Sequence, residues 1–159
     1  MSDGAVVFVE IPSGSRNKYE YDEELGGIVL DRRLFTAMTY PADYGYVEGT
    51  LGEDGDPLDA LVLVSDPTFP GCRIRVRPIG VFHMSDEKGP DEKLLCVPLG
   101  DPSFERIRDI HDVNAELRDE IEHFFQRYKD LEPSKRTETR GWGNRAEADE
   151  ILQSARART

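Results

Sequence analysis

Apolar and polar positions along this 159-residue chain change rhythm near residue 100. Before it, short runs alternate or cluster as strands do. Val6 to Ile11 is one such run, closed by Pro12, and Pro12-Ser13-Gly14-Ser15 is a turn cluster. Lys18-Tyr19-Glu20-Tyr21 alternates charges with aromatic rings, and Gly26-Gly27 turns the chain into Ile28-Val29-Leu30. Tyr40-Pro41-Ala42-Asp43-Tyr44-Gly45-Tyr46 reads locally as an aromatic-rich turn, and Leu61-Val62-Leu63-Val64 as a buried strand. Cys72 to Met84 is the longest strand-like segment. There Arg73, Arg75 and Arg77 alternate with Ile74 and Val76, as on a solvated or subunit-facing strand. Pro78 and Gly80 predict a bend or bulge midway. Leu94 to Leu99 adds another strand.

After Gly100-Asp101-Pro102 the period becomes helical. Val113, Leu117, Ile121, Phe124, Phe125, Tyr128 and Leu131 recur at spacings of three and four, with Asp112 or Asn114 as the cap. A last helix is predicted over 145–155, with Asn144 and Glu147 in capping-box positions. Pro133 to Thr139 is polar and predicts no element. About five short strands followed by helices predict an α+β, mainly β fold. Its centre is a five-stranded, closed barrel of the OB-like kind with helices packed outside, in a single domain spanning 1–159.

Charge narrows the partners. A net charge of −12 opposes a nucleic-acid footprint, so an arginine stripe for phosphate backbones is disfavoured. A phosphate substrate must then be met by a local basic cluster and by metal ions. The two cysteines, Cys72 and Cys96, lack zinc-site spacing and read as free thiols in a reducing compartment. No apolar run approaches the ~18 residues of a membrane span, and no leader pattern opens the chain. These features place it in the cytoplasm, away from membranes.

Candidate chemistry concentrates in two acidic knots. Asp54-Gly55-Asp56-Pro57-Leu58-Asp59 crowds three carboxylates on one turn, and Asp86-Glu87-Lys88-Gly89-Pro90-Asp91 sets two aspartates five residues apart. Two carboxylates ~5 Å apart repel by roughly 3 kcal/mol at an effective dielectric near 20, so a cation belongs there. If the knots converge they offer oxygen donors alone, which suits Mg²⁺ or Mn²⁺ better than zinc. Such turns are also ordinary loop sequences. The first knot is no EF-hand, because its glycine is second rather than sixth and Ser65 stands at the twelfth position. Lys18, Arg32, Lys93 and Lys129 lie beside tyrosines or acids, as clamps for a dense polyanion do. His83, His111 and His123 are too scattered for a metal set. An oligonucleotide- or sugar-binding barrel would need aromatics in a basic groove. A structural calcium protein would leave the clamp residues without purpose, and a nucleotide pyrophosphohydrolase would need a base-binding element.

Together these residues resemble the soluble family I inorganic pyrophosphatases of bacterial type. The matching pieces run in family order from Glu10-Ile11-Pro12 through Asn17-Lys18-Tyr19-Glu20, Leu30-Asp31-Arg32, the Tyr40–Gly45 stretch and the first acidic knot. They continue through Pro78-Ile79-Gly80-Val81, Asp86-Glu87 with Asp91 and Lys93, and His123-Phe124-Phe125, to Tyr128-Lys129-Asp130-Leu131-Glu132. The resemblance implies hydrolysis of inorganic pyrophosphate to two orthophosphates by direct attack of a metal-activated water. Several Mg²⁺ ions are implied, with Mn²⁺ or Zn²⁺ as substitutes. It implies Asp54, Asp59 and Asp91 as holders of the tightest metal, with Asp59 also facing a second. Asp86 with Asp91 would hold a further metal, and Glu10 would anchor a fourth. Lys18, Arg32, Tyr44, Tyr128 and Lys129 would grip phosphate, with Lys93 nearby and Glu20 in support. Asp56 or Asp91 would accept the proton. Bacterial members are typically hexamers, which implies a homohexamer here. Pro90 in place of a common acid, Arg127 in place of a common histidine and the drift over Ser134–Thr139 depart from the pattern, and they bear on assembly and on the third metal.

Overall fold

A computed structural model describes residues 4–159. Alternation decides its first strand, β1 (Ala5–Ile11): Ala5, Val7, Val9 and Ile11 are buried, while Val6, Phe8 and Glu10 turn to the other face. The hairpin β2 (Asn17–Asp22) and β3 (Gly27–Arg33) follows, turning at Gly26 with φ +71° and forming a two-stranded sheet of its own. Then come β4 (Asp43–Val47), β5 (Asp59–Val62), β6 (Arg73–Asp86), the two-residue β7 (Gly89–Pro90) and β8 (Lys93–Pro98). After α1 (Ala115–Arg127), β9 (Thr137–Gly143) returns to the sheet, and α2 (Arg145–Ala157) ends the chain.

Hydrogen-bonded neighbours run β1-β4-β5-β8-β6, and β6 pairs back with β1. That is a closed ring of five strands, as expected for a small barrel. All of its pairs are antiparallel except β5 with β8, which are parallel with Asp59 opposite Lys93. The long β6 closes the ring and also carries β7 and β9 on its far half, after a bulge between Pro78 and Gly80. Two apolar clusters fill the molecule. In one, Phe124 and Phe125 of α1 pack on Tyr40 and Phe82; in the other, Ala148, Leu152 and Ala155 of α2 pack on Val7, Val62 and Leu94. No helix among the described residues is long and apolar enough to cross a membrane.

Several expectations are corrected. Tyr40–Tyr46 is a turn only at its start, since Asp43–Val47 is a ring strand with alternating burial. Asp43, fully buried, accepts hydrogen bonds from the backbone N–H groups of Ser13 (2.8 Å) and Thr68 (3.1 Å), pinning two loops to that strand. The polar region after Pro133 holds β9, whose Glu138 and Arg140 face solvent while Trp142 packs on Phe82 with ring centroids 4.8 Å apart. The helix α1 stops at Arg127 with Tyr128 as its cap, so Leu131 lies outside it and is exposed. Arg73 and Arg75 are exposed as expected, but Arg77 is buried and donates to the Ile107 and Phe104 carbonyls at 2.6 and 3.3 Å. Asn144 caps α2 by accepting from Glu147 N–H at 3.0 Å, yet the Glu147 carboxylate goes to His83 instead of completing the box.

Gly45 sits where β1 and β4 approach closely. A Cβ there would fall on the Phe8 carbonyl oxygen and lie 2.9 Å from its carbon. Gly45→Ala is therefore expected to lower the unfolding free energy by about 3 kcal/mol, since backbone must move to admit it. A urea titration checks this, and an unchanged midpoint would show that the two strands have slack.

Candidate active site

Local hydrogen bonds fix the first acidic turn. Thr50 Oγ1 donates to the Val47 carbonyl at 2.6 Å and accepts from Leu58 N–H at 3.0 Å, closing the loop at its base. Inside it, Gly52 N–H donates to the Asp56 carbonyl at 2.6 Å, and Asp56 N–H to Asp54 Oδ1 at 3.1 Å. Gly55, at φ +88°, makes the reversal that a side chain would strain. The second turn is held by Asp91 N–H on the Met84 carbonyl and by Lys88 N–H on Asp86 Oδ1, both at 2.8 Å.

The parallel pairing of β5 and β8 then brings the two turns side by side. Lys93 is buried where they meet. Its Nζ donates to Tyr44 Oη at 2.6 Å and to Asp59 Oδ2 and Asp91 Oδ2 at 3.0 Å each. Tyr44 in turn donates to Asp59 Oδ2 at 3.0 Å. Burial opposes a charge on Lys93, but Asp59, Tyr44 and Asp91 raise its pKa well above the ordinary lysine value. Burial also raises Asp91, against the pull of Lys93, and it keeps the Tyr44 and Tyr128 hydroxyls protonated.

Cations face these acids from the hairpin and from the end of α1. Lys18 Nζ lies 2.8 Å from Asp31 and 3.8 Å from Glu20. Arg32 reaches Asp31 at 2.7 Å and the buried Glu132 at 2.9 Å, and its buried Nε has no hydrogen-bond partner among the described residues. Burial would raise the Asp31 carboxyl, but Lys18 and Arg32 hold it below the usual range. Lys129 is lowered, chiefly by burial. On β1, Glu10 accepts from Tyr21 N–H at 2.9 Å; burial, aided by Asp59, outweighs that bond and raises its pKa to about 7.

Every residue the resemblance places in the site lines one cavity of about 480 Å³. Glu10, Asp54, Asp56, Asp59, Asp86 and Asp91 meet there with Lys18, Glu20, Arg32, Tyr44, Lys93, Tyr128 and Lys129. Within it the roles sort differently from the simple list. Lys93 spends its donors on Tyr44, Asp59 and Asp91, and Tyr44 spends its own on Asp59, whereas Lys18, Arg32 and Lys129 line the basic side. Asp31 and Glu132 lie in the matched motifs, but neither takes a role from sequence alone. Asp31 was visible only as the neighbour of Arg32, and Glu132 stands one hundred residues from the arginine it holds. A smaller cavity of about 230 Å³ shares Asp54, Asp59 and Asp91 and is backed by α2, but Arg158 is its one basic residue. No histidine lines the larger cavity. His83 is structural, its ring nitrogens 2.7 Å from Glu92 and 2.6 Å from Glu147.

The donor set is all oxygen and anionic, which fits a hard divalent cation. Among the described residues no three carboxylates close on one point as a ready-made chelate. A cation that keeps several waters and shares its remaining positions with phosphate oxygens suits that spacing, as Mg²⁺ does. The arrangement can hold a small polyanion between bound cations on one side and Arg and Lys on the other.

Comparison with known proteins agrees with this geometry. The family model described as inorganic pyrophosphatase matches residues 7–159. An inorganic pyrophosphatase of Streptomyces coelicolor is 62% identical over 147 residues, covering 92% of this chain and 90% of its own length. One from Sulfolobus acidocaldarius is 51% identical over 151 residues, covering 94% and 87%. The solved inorganic pyrophosphatase of Helicobacter pylori superposes with a TM-score of 0.96 at 42% identity, over 99% of this chain and 94% of that one. That of Thermus thermophilus gives 0.96 at 46% identity, over 98% and 91%. The chain belongs to the inorganic pyrophosphatase family.

Proposed function

We propose that this protein hydrolyses inorganic pyrophosphate to two orthophosphates with Mg²⁺ as its cofactor, Mn²⁺ or Zn²⁺ being able to substitute. The observation that carries this reading is the single cavity in which an acidic wall faces a cluster of Lys and Arg. Asp54, Asp59 and Asp91 would hold the principal metal, with Asp86 and Glu10 as holders of further ions. When bound, such ions neutralise the polyanion and activate water for attack on phosphorus.

The chain's own groups then divide the remaining work. Asp56 is exposed, and its carboxylate makes no hydrogen bond among the described residues, so its lone pairs are free to take the proton of the attacking water. Asp91, with one oxygen committed to Lys93, is the alternative acceptor. As the new P–O bond forms and the bridging P–O bond breaks, negative charge moves to the leaving phosphate. Arg32, Lys18 and Lys129 stabilise that charge, and Tyr128, kept protonated by burial, donates to it. Asp31, Glu20 and Glu132 hold the clamp in place. The same reading takes 1–159 as one catalytic domain. It works as a homohexamer in the cytoplasm, where Cys72 and Cys96 remain free thiols.

Phosphate release from pyrophosphate should be rapid in Mg²⁺ and abolished by excess EDTA; no release at saturating Mg²⁺ overturns the proposal. Asp56→Asn should reduce kcat by about 10²- to 10⁴-fold while leaving circular dichroism unchanged. Near-wild-type turnover by that variant removes Asp56 as the proton acceptor.

The protonation of Glu10 gives a separate check in metal-free buffer. Its folded pKa of about 7 exceeds its ordinary 4.5, so between those values the folded state binds more proton than the unfolded chain. Stability should therefore fall as pH rises through that window, by no more than about 3 kcal/mol from this group. Glu10→Gln should remove this component of the slope. Urea midpoints of both proteins across pH 4.5–8 test it, and a wild-type-to-variant difference that ignores pH refutes it.

A further inference from the structure

We propose that Lys93 is a resident counter-cation of the acidic site, a positioning residue and not a phosphate clamp. It holds the Asp59 and Asp91 side chains side by side and thereby limits how tightly a divalent ion binds beside them. This rests on the reading of Asp59 and Asp91 as metal ligands.

Three observations carry it. First, the ammonium is walled off: the Lys93 side chain is 1% exposed, against 24% for Lys18 and 22% for Arg32. Its Nζ lies 5.0 Å from the Tyr44 ring centroid and 5.2 Å from that of Phe125. Second, its hydrogen bonds account for all its protons. An ammonium has three donors, and these go to Tyr44, Asp59 and Asp91, leaving none for a phosphate oxygen. Third, backbone brings the three residues together. Asp59 and Lys93 are paired residues of two ring strands, and Asp91 is two residues before Lys93, so the ammonium sits between both carboxylates at 3.0 Å from each.

The consequence follows from charge. Two carboxylates pinned together without a cation destabilise the fold, and Lys93 supplies that cation permanently. The same positive charge repels an incoming divalent ion, so it weakens binding and favours exchange. Removing it should have opposite effects on the metal-free protein and on metal affinity, which loss of simple packing would not produce.

Full-length wild type, Lys93→Met and Lys93→Arg are compared by thermal unfolding in EDTA and in saturating Mg²⁺, with Mg²⁺ affinity measured by calorimetry. Lys93→Met should melt about 10 °C lower in EDTA, regain most of that loss in Mg²⁺, and bind Mg²⁺ about tenfold more tightly. Lys93→Arg should restore much of the stability in EDTA. An equal loss with and without Mg²⁺, or an affinity that is unchanged or weaker, overturns the proposal. If Lys93→Met does not fold in EDTA, the Lys93→Met, Asp59→Asn, Asp91→Asn triple variant decides. Recovery of folding there supports the counter-cation role, and continued unfolding overturns it. If Mg²⁺ fails to raise the wild-type melting temperature, the metal reading itself fails, and the EDTA comparison of single and triple variants still judges Lys93.

Discussion

The parallel pairing of β5 with β8 is the constraint on which the site depends. It sets Asp59 opposite Lys93 and carries the second acidic turn to the first, although the two are about thirty residues apart in sequence. Side chains alternate across a strand, so a one-residue slip would turn Lys93 to the other face and leave the carboxylates uncompensated. The apolar neighbours fill both faces of the strand. Leu94, Leu95, Cys96 and Val97 are all buried, and each has a fixed place in one of the two apolar clusters. Both faces of this strand are apolar, so burial alone would tolerate a slip, and it is Lys93, with its three hydrogen bonds, that makes one register distinct.

An acidic protein that handles a polyanion must also organise its few cations. Here the basic side of the cavity is built by carboxylates: Asp31 takes Lys18 and Arg32, and Glu132 takes the other end of Arg32. Such a clamp is preorganised, because its long side chains are already ordered before a ligand arrives. The arginine is not saturated by this support, since its buried Nε remains without a partner among the described residues.

What could be read from sequence followed a simple division. Strands with an apolar period, such as Val6–Ile11 and Leu94–Val97, announce themselves, and so do crowded acids such as Asp54-Gly55-Asp56. Their repulsion is local and visible. Long-range partnerships are not. The strand Thr137–Gly143 has the alternation of an edge strand but polar residues on both faces, so no hydrophobic period marks it. Arg77 looks like Arg73 and Arg75 in the chain, and only the bulge at Pro78 and the carbonyls of Phe104 and Ile107 make it a buried ligand of the loop. Glu147 has the spacing of a capping box, yet His83 on β6 outbids the backbone for its carboxylate. The resemblance of motifs located the cavity residues as a group, but it could not say that Lys93 and Tyr44 face carboxylates.

The hairpin of β2 and β3 shows how these parts couple. It forms a sheet separate from the ring and is tied to it at few points. Tyr21 N–H donates to Glu10, the Tyr21 ring packs edge-on against Phe8 at 5.7 Å, and Arg32 reaches across to Glu132. Each of those three ties involves a residue that also lines the cavity, Glu10, Tyr21 or Arg32. A cation beside Glu10 favours its charged form and so strengthens the bond from Tyr21, while a phosphate on Arg32 is a second anion that shares the guanidinium with Glu132. Seating of the hairpin and filling of the cavity therefore draw on the same side chains. The hairpin bearing Lys18, Glu20, Asp31 and Arg32 thus supplies one wall of the cavity through the residues that anchor it.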